Sequence, residues 1–495
     1  MGTGRRHSAR IVVCLAAALT LAALATPAPA AKPGPGALDR SFSGDGKVIT
    51  EFPDPRGSSH PNYVLPFEFA PGRIAMAGGP NGSLVAANSQ AIVRFLANGR
   101  RDPRFGGNGS VPIAGTEGFR FQLADVAVDS QGRVLVAGTT RATNNVGMEG
   151  QPVAGPLPSI GTIHRYTAGG QLDATFGAGG VLHSFFGAPA ATFEGAAYDE
   201  PAVSLVGLAV DGQDRPIVTG TAVVEVGRCG SSEARYQRSQ GFVSRRAAVG
   251  GGPDPSFAGV GSAAIGNLAW LALPVPTRGG LFAVGEAEDP CRSGGAEQPS
   301  AVAGMGDAGL LPSFSGDGFW SRPFTRVSDI AAAPKGKIVL LTRTIELRRG
   351  RFVESPGKAV RLRANGAVDR RFGKGGEARV RLPERSSLAA LAVDRKGRVL
   401  LAGTVVHRVR DRKKARQNRS HQTRQEILLI RVSDEGEVDR GFGRRGRTTT
   451  SFGAKGDVLA TEVLVDRANR ISVGGKYAGG SGDNAFAIAR YLGGR

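Results

Sequence analysis

The sequence predicts an all-β protein, a closed β-propeller of seven four-stranded blades. Three observations predict it: a turn string recurs seven times, a glycine-centred hairpin recurs between its copies, and the copies lie 63, 71, 81, 57, 58 and 70 residues apart. Solenoid repeats run about 20 to 47 residues, so spacings of this size fit propeller blades better.

The turn string reads LDRSFSGDG over 38–46, LDATFGAGG over 172–180, VDRRFGKGG over 368–376 and VDRGFGRRG over 438–446. Its Phe recurs as Phe42, Phe105, Phe176, Phe257, Phe314, Phe372 and Phe442, and Gly stands four residues after each. Asp stands three residues before six of them, as Asp39, Asp102, Asp173, Asp254, Asp369 and Asp439, while the fifth copy has Leu311. An Asp carboxylate accepts from the backbone two residues on, and Gly takes a positive φ without a Cβ clash. The pair sets a tight turn, and the Phe pins it to a core.

The hairpin element reads SQGRVLVAG (130–138), PKGKIVLLT (334–342), RKGRVLLAG (395–403) and RANRISVGG (467–475). Its turn position holds Gly82, Gly132, Asp214, Gly279, Gly336, Gly397 or Asn469, the residue types that tolerate a left-handed backbone. Short Val- and Leu-rich runs flank it, as expected of buried strands. A third strand follows, as in AIVRFLANG, TIHRYTAGG, KAVRLRANG, LLIRVSDEG and FAIARYLGG. A fourth comes after the Phe turn. Ten residues past the anchor that strand carries Phe52, Phe186, Phe324, Leu382 or Phe452, a pattern broken by Gly115 and Asn267. Without its leader the sequence starts within a Phe turn and finishes on the strand that precedes one, so its two ends are expected to complete one unit between them and close a ring.

These motifs, the LDxxFGxGG turn, the AVDxxGRVLVAG hairpin and the ARYxxxG strand, resemble the delta-60 repeat family of bacterial secreted and surface proteins over residues 37–495. The resemblance implies a propeller-like β fold outside the cytoplasm. It implies no catalytic residues and no cofactor.

Residues 1–30 read as a secretory signal: Arg5, Arg6 and Arg10, an apolar run over 11–25, and Ala28-Pro29-Ala30 as a small-residue cleavage site. The run is short for a membrane span, which needs about 20 residues. A Pro/Gly linker over 31–36 leads into the repeat domain at 37–495. The formal charge of +21 falls to +18 without the leader. That balance bears on partners and solubility, not on fold.

Alternating strands place the Phe turn and the Gly hairpin on one face. The opposite face carries the insertions, Glu51 to Gly72, Thr139 to Pro158, Gly187 to Ala202, Thr221 to Gln240, Glu286 to Ser300 and Thr404 to Gln425, and is a candidate binding surface or plain solvated decoration. The last insertion holds a polyanion-binding candidate: Arg408, Arg410, Arg412, Lys413, Lys414, Arg416, Arg419 and Arg424 against one Asp. Such a run attracts anionic cell-envelope polymers through charge that salt screens. It has no aromatic residue to stack a base, which disfavours nucleic acid. Cys229 and Cys291 fall in equivalent connections of consecutive units, as a disulfide between blades or as two free thiols.

The Gly strings lack the Lys-Ser/Thr of a phosphate loop, and no nucleophile elbow, HExxH or paired Cys ligands occur. Metal binding is not expected, because His60, His164, His183, His407 and His421 are scattered. Trp320 aligns with Val48, Val111 and Leu182 and is expected in the core. The resulting expectation is a secreted, monomeric, non-catalytic binding or scaffold protein without cofactor, bound to an envelope polymer or another surface protein. The alternative is an extracellular hydrolase or lyase with its site in the central funnel, which convergent carboxylates would mark.

Overall fold

The computed structural model describes residues 33–52, 74–115, 119–142, 159–187, 191–193, 196–198, 202–228, 235–266, 268–286, 300–348, 351–409, 422–453, 456–479 and 485–494. They form seven separate blades, antiparallel except that Ala191–Phe193 pairs parallel with Pro216–Arg228 and, with Ala196–Tyr198, widens blade 3 to six strands. Blade 1 comprises Ala75–Gly78, Leu84–Ala87, Ala91–Phe95 and Ser110–Pro112, and blade 2 Phe119–Val128, Val134–Ala142, Ser159–Tyr166 and Val181–Ser184. Blade 3 comprises Val203–Val210, Pro216–Arg228, Arg235–Arg245 and Ser262–Ala264, and blade 4 Trp270–Thr277, Gly280–Glu286, Ser300–Gly306 and Phe319–Ser321. Blade 5 is built on Thr325–Ala332, Ile338–Arg348 and Lys358–Leu362. Blade 6 comprises Ser386–Val393, Val399–Val409, Gln422–Val432 and Arg447–Thr450. Blade 7 joins Asp457–Val465, Arg470–Ala478 and Ala485–Leu492 to Lys47–Glu51 from the other end of the chain.

Two expectations need correction. No sheet is closed: each blade is an open sheet with two edge strands. A strand ladder cannot run from blade to blade, because neighbours meet face to face through side chains. Seven apolar clusters fill those contacts, each drawing residues from two adjoining blades; Phe105, Val136 and Tyr166 lie in the one between blades 1 and 2. The four-stranded plan also fails in blade 5. Its outer segment keeps only an isolated bridge, Val360 to Glu377, and Arg379 bridges instead to Glu437 of blade 6. The fourth strand there, Arg351–Glu354, merely extends the tip of Ile338–Arg348.

The Phe turn works as its composition requires. The Asp accepts the backbone N–H two residues on, as in Asp39 to Ser41, Asp173 to Thr175 and Asp254 to Ser256. The residue after each Phe is left-handed, including Ser43 (φ 55°) and Ala258 (φ 49°), and its N–H donates to a carbonyl in the next blade's turn. These bonds run Ser43 to Asn98, Gly106 to Gly169, Gly177 to Gly250, Ala258 to Asp307, Ser315 to Asn365, Gly373 to Glu435 and Gly443 to Pro35. At the fourth position Gly is obligatory for space as well as φ: a Cβ on Gly446 (φ 88°) would meet Val438 Cγ1 at 2.1 Å.

An Arg on the third strand completes the turn. Arg490 pairs with Asp39 (2.9 Å), Arg165 with Asp173 (2.8 Å), Arg245 with Asp254 (2.6 Å), Arg361 with Asp369 (3.0 Å) and Arg431 with Asp439 (2.8 Å). Arg94 and Asp102 are looser at 3.4 Å. Each guanidinium lies over the anchoring Phe, 4.4 Å from the Phe176 centroid for Arg165 and 4.3 Å from Phe42 for Arg490. The free arm of the fork crosses to the next blade, from Arg165 to Ala248 O and from Arg361 to Asp434 O, both 2.5 Å. Blade 4 loses both charges at once: Leu311 replaces the Asp, and Gly304 lies where the Arg would be, with Phe314 packed on it.

The Gly hairpin is held by its own Asp–Arg pair in four blades, including Asp129–Arg133 (2.5 Å) and Asp394–Arg398 (2.6 Å). Arg215 also reaches Asp254 (3.1 Å) and Lys337 reaches Asp369 (2.8 Å), which brings hairpin and Phe turn to one face as expected. The hairpin residues Gly82, Gly132, Asp214, Gly336, Gly397 and Asn469 are left-handed; in blade 4 it is Gly280, not Gly279, that has positive φ. Trp320 is buried between blades 4 and 5.

The pairing predicts a signature in stability. Asp173→Leu leaves Arg165 buried without its counter-charge and should cost about 3–5 kcal/mol. Adding Arg165→Met, which imitates the uncharged blade 4, should recover much of that loss. Urea unfolding of the single and double variants measures both, and additive losses would contradict the pairing.

Candidate functional site

Two concave regions draw chemistry together. The first is axial. The innermost strands of blades 4, 5, 6 and 7 present Pro274–Pro276, Ile330–Ala332, Leu391–Val393 and Val463–Val465 to a cleft of about 330 Å³. Just past a bulge, these inner strands carry acids at matching positions, Asp125 in blade 2, Asp329 in blade 5 and Glu462 in blade 7. Asp125 Oδ2 accepts the Leu208 N–H (3.2 Å) and Asp329 Oδ2 the Leu391 N–H (2.6 Å), each from the next blade. Their other oxygens accept from Val126 and Ile330. Asp329 touches the axial solvent but has protein on every side. Desolvation, opposed by its two backbone donors and reinforced by Asp125, pushes it up to about 7. Carboxylates therefore do converge on the axis, but Asp125 and Asp329 are engaged as staples between inner strands, and the side chains lining the cleft beside them are apolar.

The second region lies between blades 1 and 2, a cleft of about 160 Å³ lined by Ala114, Gly115, Phe119, Phe121, Thr140, His164, Val181 and His183. Strand register assembles it. Gly138 faces Thr162, Thr162 faces His183, and Phe121 faces Thr140, so these positions project from the same side of blade 2 toward blade 1. The Thr140 and Thr162 hydroxyls are 2.8 Å apart, and Thr162 Oγ1 is 3.0 Å from His183 Nδ1. The Thr162 hydroxyl can accept from an Nδ1–H, which leaves His183 Nε2 as the ring's basic nitrogen.

His164 is 3% exposed, and its Nδ1 has no hydrogen-bond partner. Phe121 meets it edge-on at 5.0 Å, and Tyr166 stacks on its other side at 6.4 Å. Burial first, and then the nearby His183, push His164 down to about 4, so it is a neutral imidazole at physiological pH. Burial also lowers His183, which stands at the exposed rim. Tyr166 Oη accepts the Ala114 N–H (3.0 Å) and so fixes the floor beside Gly115. This arrangement offers the exposed His183 imidazole and the Thr140 hydroxyl to a guest, with Phe119 and Phe121 as an apolar wall. Such a set can accept, relay and return protons.

The sequence reading left His164 and His183 among scattered histidines, yet they lie on adjacent strands of one blade. The signal that could have found them is Gly115, the break in the Phe pattern. Among the described residues no group of three or more His, Cys, Asp or Glu is placed to hold a metal. Of the basic candidates, Arg408 is exposed opposite Thr423, and Arg424 donates to Glu426 Oε1. Arg410, Arg412, Lys413, Lys414, Arg416 and Arg419 lie outside the described residues, as do Cys229 and Cys291. Among the described residues no helix is long and apolar enough to cross a membrane.

No family model matches the chain, and no curated protein matches it. Several solved structures are similar to it at low identity. A protein of unknown function from Dyadobacter fermentans is 12% identical with a TM-score of 0.39, covering 83% of this chain and 99% of its own. A polysaccharide lyase is 9% identical with a TM-score of 0.46, covering 88% and 93%. A gluconolactonase from Xanthomonas campestris is 11% identical with a TM-score of 0.31, covering 84% and 85%. The expectation of a non-catalytic scaffold, with enzyme activity disfavoured, is corrected. The expectation rested on the lack of a linear motif, which has no force where a cleft assembles its groups across two blades.

The His164 assignment predicts a titration. Its imidazole should remain neutral as pH falls through 6, with a midpoint near 4 in a histidine-resolved NMR titration. Because the folded value lies below the unfolded one of about 6.5, the stability linked to this group is present above 6.5 and is lost as pH falls toward 4. An NMR midpoint near 6.5 would show that the ring is solvated.

Proposed function

We propose that the protein is an exported enzyme, a hydrolase or lyase, whose proton-transfer site is the cleft between blades 1 and 2 and not the central funnel. The observation that carries this reading is a cleft that brings the exposed His183, its Nδ1 held by Thr162, beside Thr140 and the buried His164. A base whose conjugate acid titrates near 4 is a weak proton acceptor at neutral pH, so His164 packs the cleft wall and is not the base. His183, lowered by burial alone and open at the rim, takes the proton through Nε2. Thr162 holds that ring by its Nδ1. A proton taken from a bound water gives hydrolysis. One taken from a carbon beside a carbonyl, with departure of the group on the neighbouring carbon, gives elimination.

Export rests on the leader at 1–30 and the linker at 31–36, with the repeat domain at 37–495 as the exported body. The repeat motifs support placing that domain with the delta-60 proteins. Activity of the mature protein on a panel of polysaccharides and esters tests the reading. His183→Ala should lower kcat by about 10²–10⁴-fold, while Asp329→Asn in the axial cleft should leave kcat within a few-fold of the parent. The opposite ranking would return the site to the funnel.

A further inference from the structure

The seven Phe turns share one framework, yet their variable positions differ in charge from blade to blade. The strings of blades 2, 3 and 4, LDATFGAGG, PDPSFAGVG and LLPSFSGDG, contain no Lys or Arg. In blades 6, 7 and 1 the turn and its bordering residues carry Arg440, Arg444, Arg445, Arg447, Arg40 and Arg100, all exposed. None of these six makes an ion pair among the described residues. The Asp that opens each string is already taken, Asp439 by Arg431, Asp39 by Arg490 and Asp102 by Arg94. Asp45, which binds Lys47, is the one exposed carboxylate in these three strings. The turns adjoin, because Gly443 donates to Pro35 O and Ser43 to Asn98 O, so the six guanidiniums follow one path across successive blades. The path stops on the blade 5 side at the exposed Asp434, Glu435 and Glu437, beside the turn that Gly373 anchors to Glu435 O. On the other side it stops at the uncharged string of blade 2.

Like charges gathered in this way repel one another, and the fold does not require them, since blades 2 to 4 build the same turn without them. Their length and chemistry point to the partner. Stacked sheets lie about 10 Å apart, so the path from blade 6 to blade 1 exceeds the screening length of about 8 Å at physiological salt. A single small anion meets only part of it, whereas a chain with charges on successive units meets it all. The planar fork of Arg pairs in bidentate fashion with a carboxylate, and a sulfate ester presents a similar pair of oxygens. Single-stranded nucleic acid stacks its bases on aromatic side chains, and Phe42, Phe105 and Phe442 of these turns are fully buried. A duplex, with a persistence length of about 50 nm, is too stiff to turn with successive blades. An anionic bilayer is flat and meets the whole face, including blade 4 with its exposed Asp317, instead of one curved sector. A flexible acidic sugar chain needs neither a stacking platform nor a plane.

We infer that the Arg path over the turns of blades 6, 7 and 1 is a docking surface for a flexible, linear acidic polysaccharide whose successive sugars carry carboxylate or sulfate groups. This goes beyond the proposed function and does not rest on it, because none of the six Arg lines the cleft between blades 1 and 2. It is also separate from the basic candidates between Arg408 and Arg424, which follow the connection at the other end of the blade 6 strands.

The test is calorimetry and vesicle co-sedimentation with four probes: oligogalacturonate, heparin oligosaccharide, single-stranded oligothymidylate and phosphatidylglycerol vesicles. At least one of the two sugar chains should bind the parent, with affinity falling about tenfold or more between roughly 50 and 200 mM salt. Arg40→Ala, Arg100→Gln, Arg440→Ala, Arg444→Ala and Arg445→Gly install the residues that blade 2 has at the matching positions, Ala174, Gln171, Ala178 and Gly179. Gly also suits the left-handed backbone of Arg445 (φ 57°). Combined, these five changes should weaken binding by about tenfold or more, whereas Arg370→Ala with Arg371→Thr, beyond the acidic break, should change it less than about threefold. The three blade 6 changes alone serve if the combined variant does not fold. No binding of either sugar chain, or equal losses per charge removed in the two sets of variants, would overturn the docking surface. Oligothymidylate or vesicles bound as tightly as the sugar chains would overturn the polysaccharide assignment. Sugar binding that obeys the expected pattern, in a protein with no turnover of any glycan or ester, would uphold the docking surface and remove the enzymatic reading alone.

Discussion

The fold depends on a buried ion pair repeated along the chain, an Arg on the third strand of a blade gripping the Asp that opens the following Phe turn. The turn is rich in glycine and has little conformational preference of its own. What fixes it is the guanidinium, which lies over the Phe ring, binds the Asp and, in every case but Arg490, sends its remaining arm into the next blade. One side chain thus joins strand, turn and neighbour. Blade 4 shows the rule by its exception. There Leu311 and Gly304 replace Asp and Arg together, and Leu311 packs on Gly306 while Phe314 packs on Gly304. A buried pair can be exchanged for apolar contacts as a set, whereas losing one partner strands a charge.

Much of this architecture was legible in the sequence because it rests on local chemistry. Asp39 and Asp173 bond two residues ahead, Gly132 and Asn469 occupy left-handed hairpin positions, and Trp320 is buried where its alignment with Val48 put it. The Arg lies in every quoted third strand, but its partner is eight residues further on in blades 2, 5 and 6 and 451 residues away for Arg490. Nothing in a linear string announces such a pair. The open edges of the sheets and the departure of the Arg379 segment toward blade 6 were equally hidden, since both follow from how blades stack.

The site was less legible for the same physical reason. His164 and His183 are 19 positions apart and become neighbours only through register, with Thr162 facing His183. Gly115 comes from another blade. Its mark in the sequence was visible as a broken pattern, but its meaning as an empty volume requires knowing that Phe186 and Phe242 stack in the junction between blades 2 and 3. The acids were misleading in the opposite direction. Asp125 and Asp329 do reach the axis, yet each spends one oxygen on a backbone donor of the neighbouring inner strand and the other on its own strand.

Blade 7 takes Lys47–Glu51 from the beginning of the chain and three strands from the end, and Arg490 closes on an Asp39 made long before it. A ribosome therefore releases the first strand of this blade with no partner to pair with. Over several hundred residues of further synthesis it remains a bare hairpin-less strand, the kind of edge that invites mispairing and engages chaperones. The loop closed by that final pairing is the longest in the molecule, so its entropy is spent last. A nonsense mutation shortly before residue 485 would remove only one strand in the list of many, yet it would orphan Lys47–Glu51, Asp39 and Phe42 together. Loss of the last few per cent of the chain is thus expressed at its opposite end.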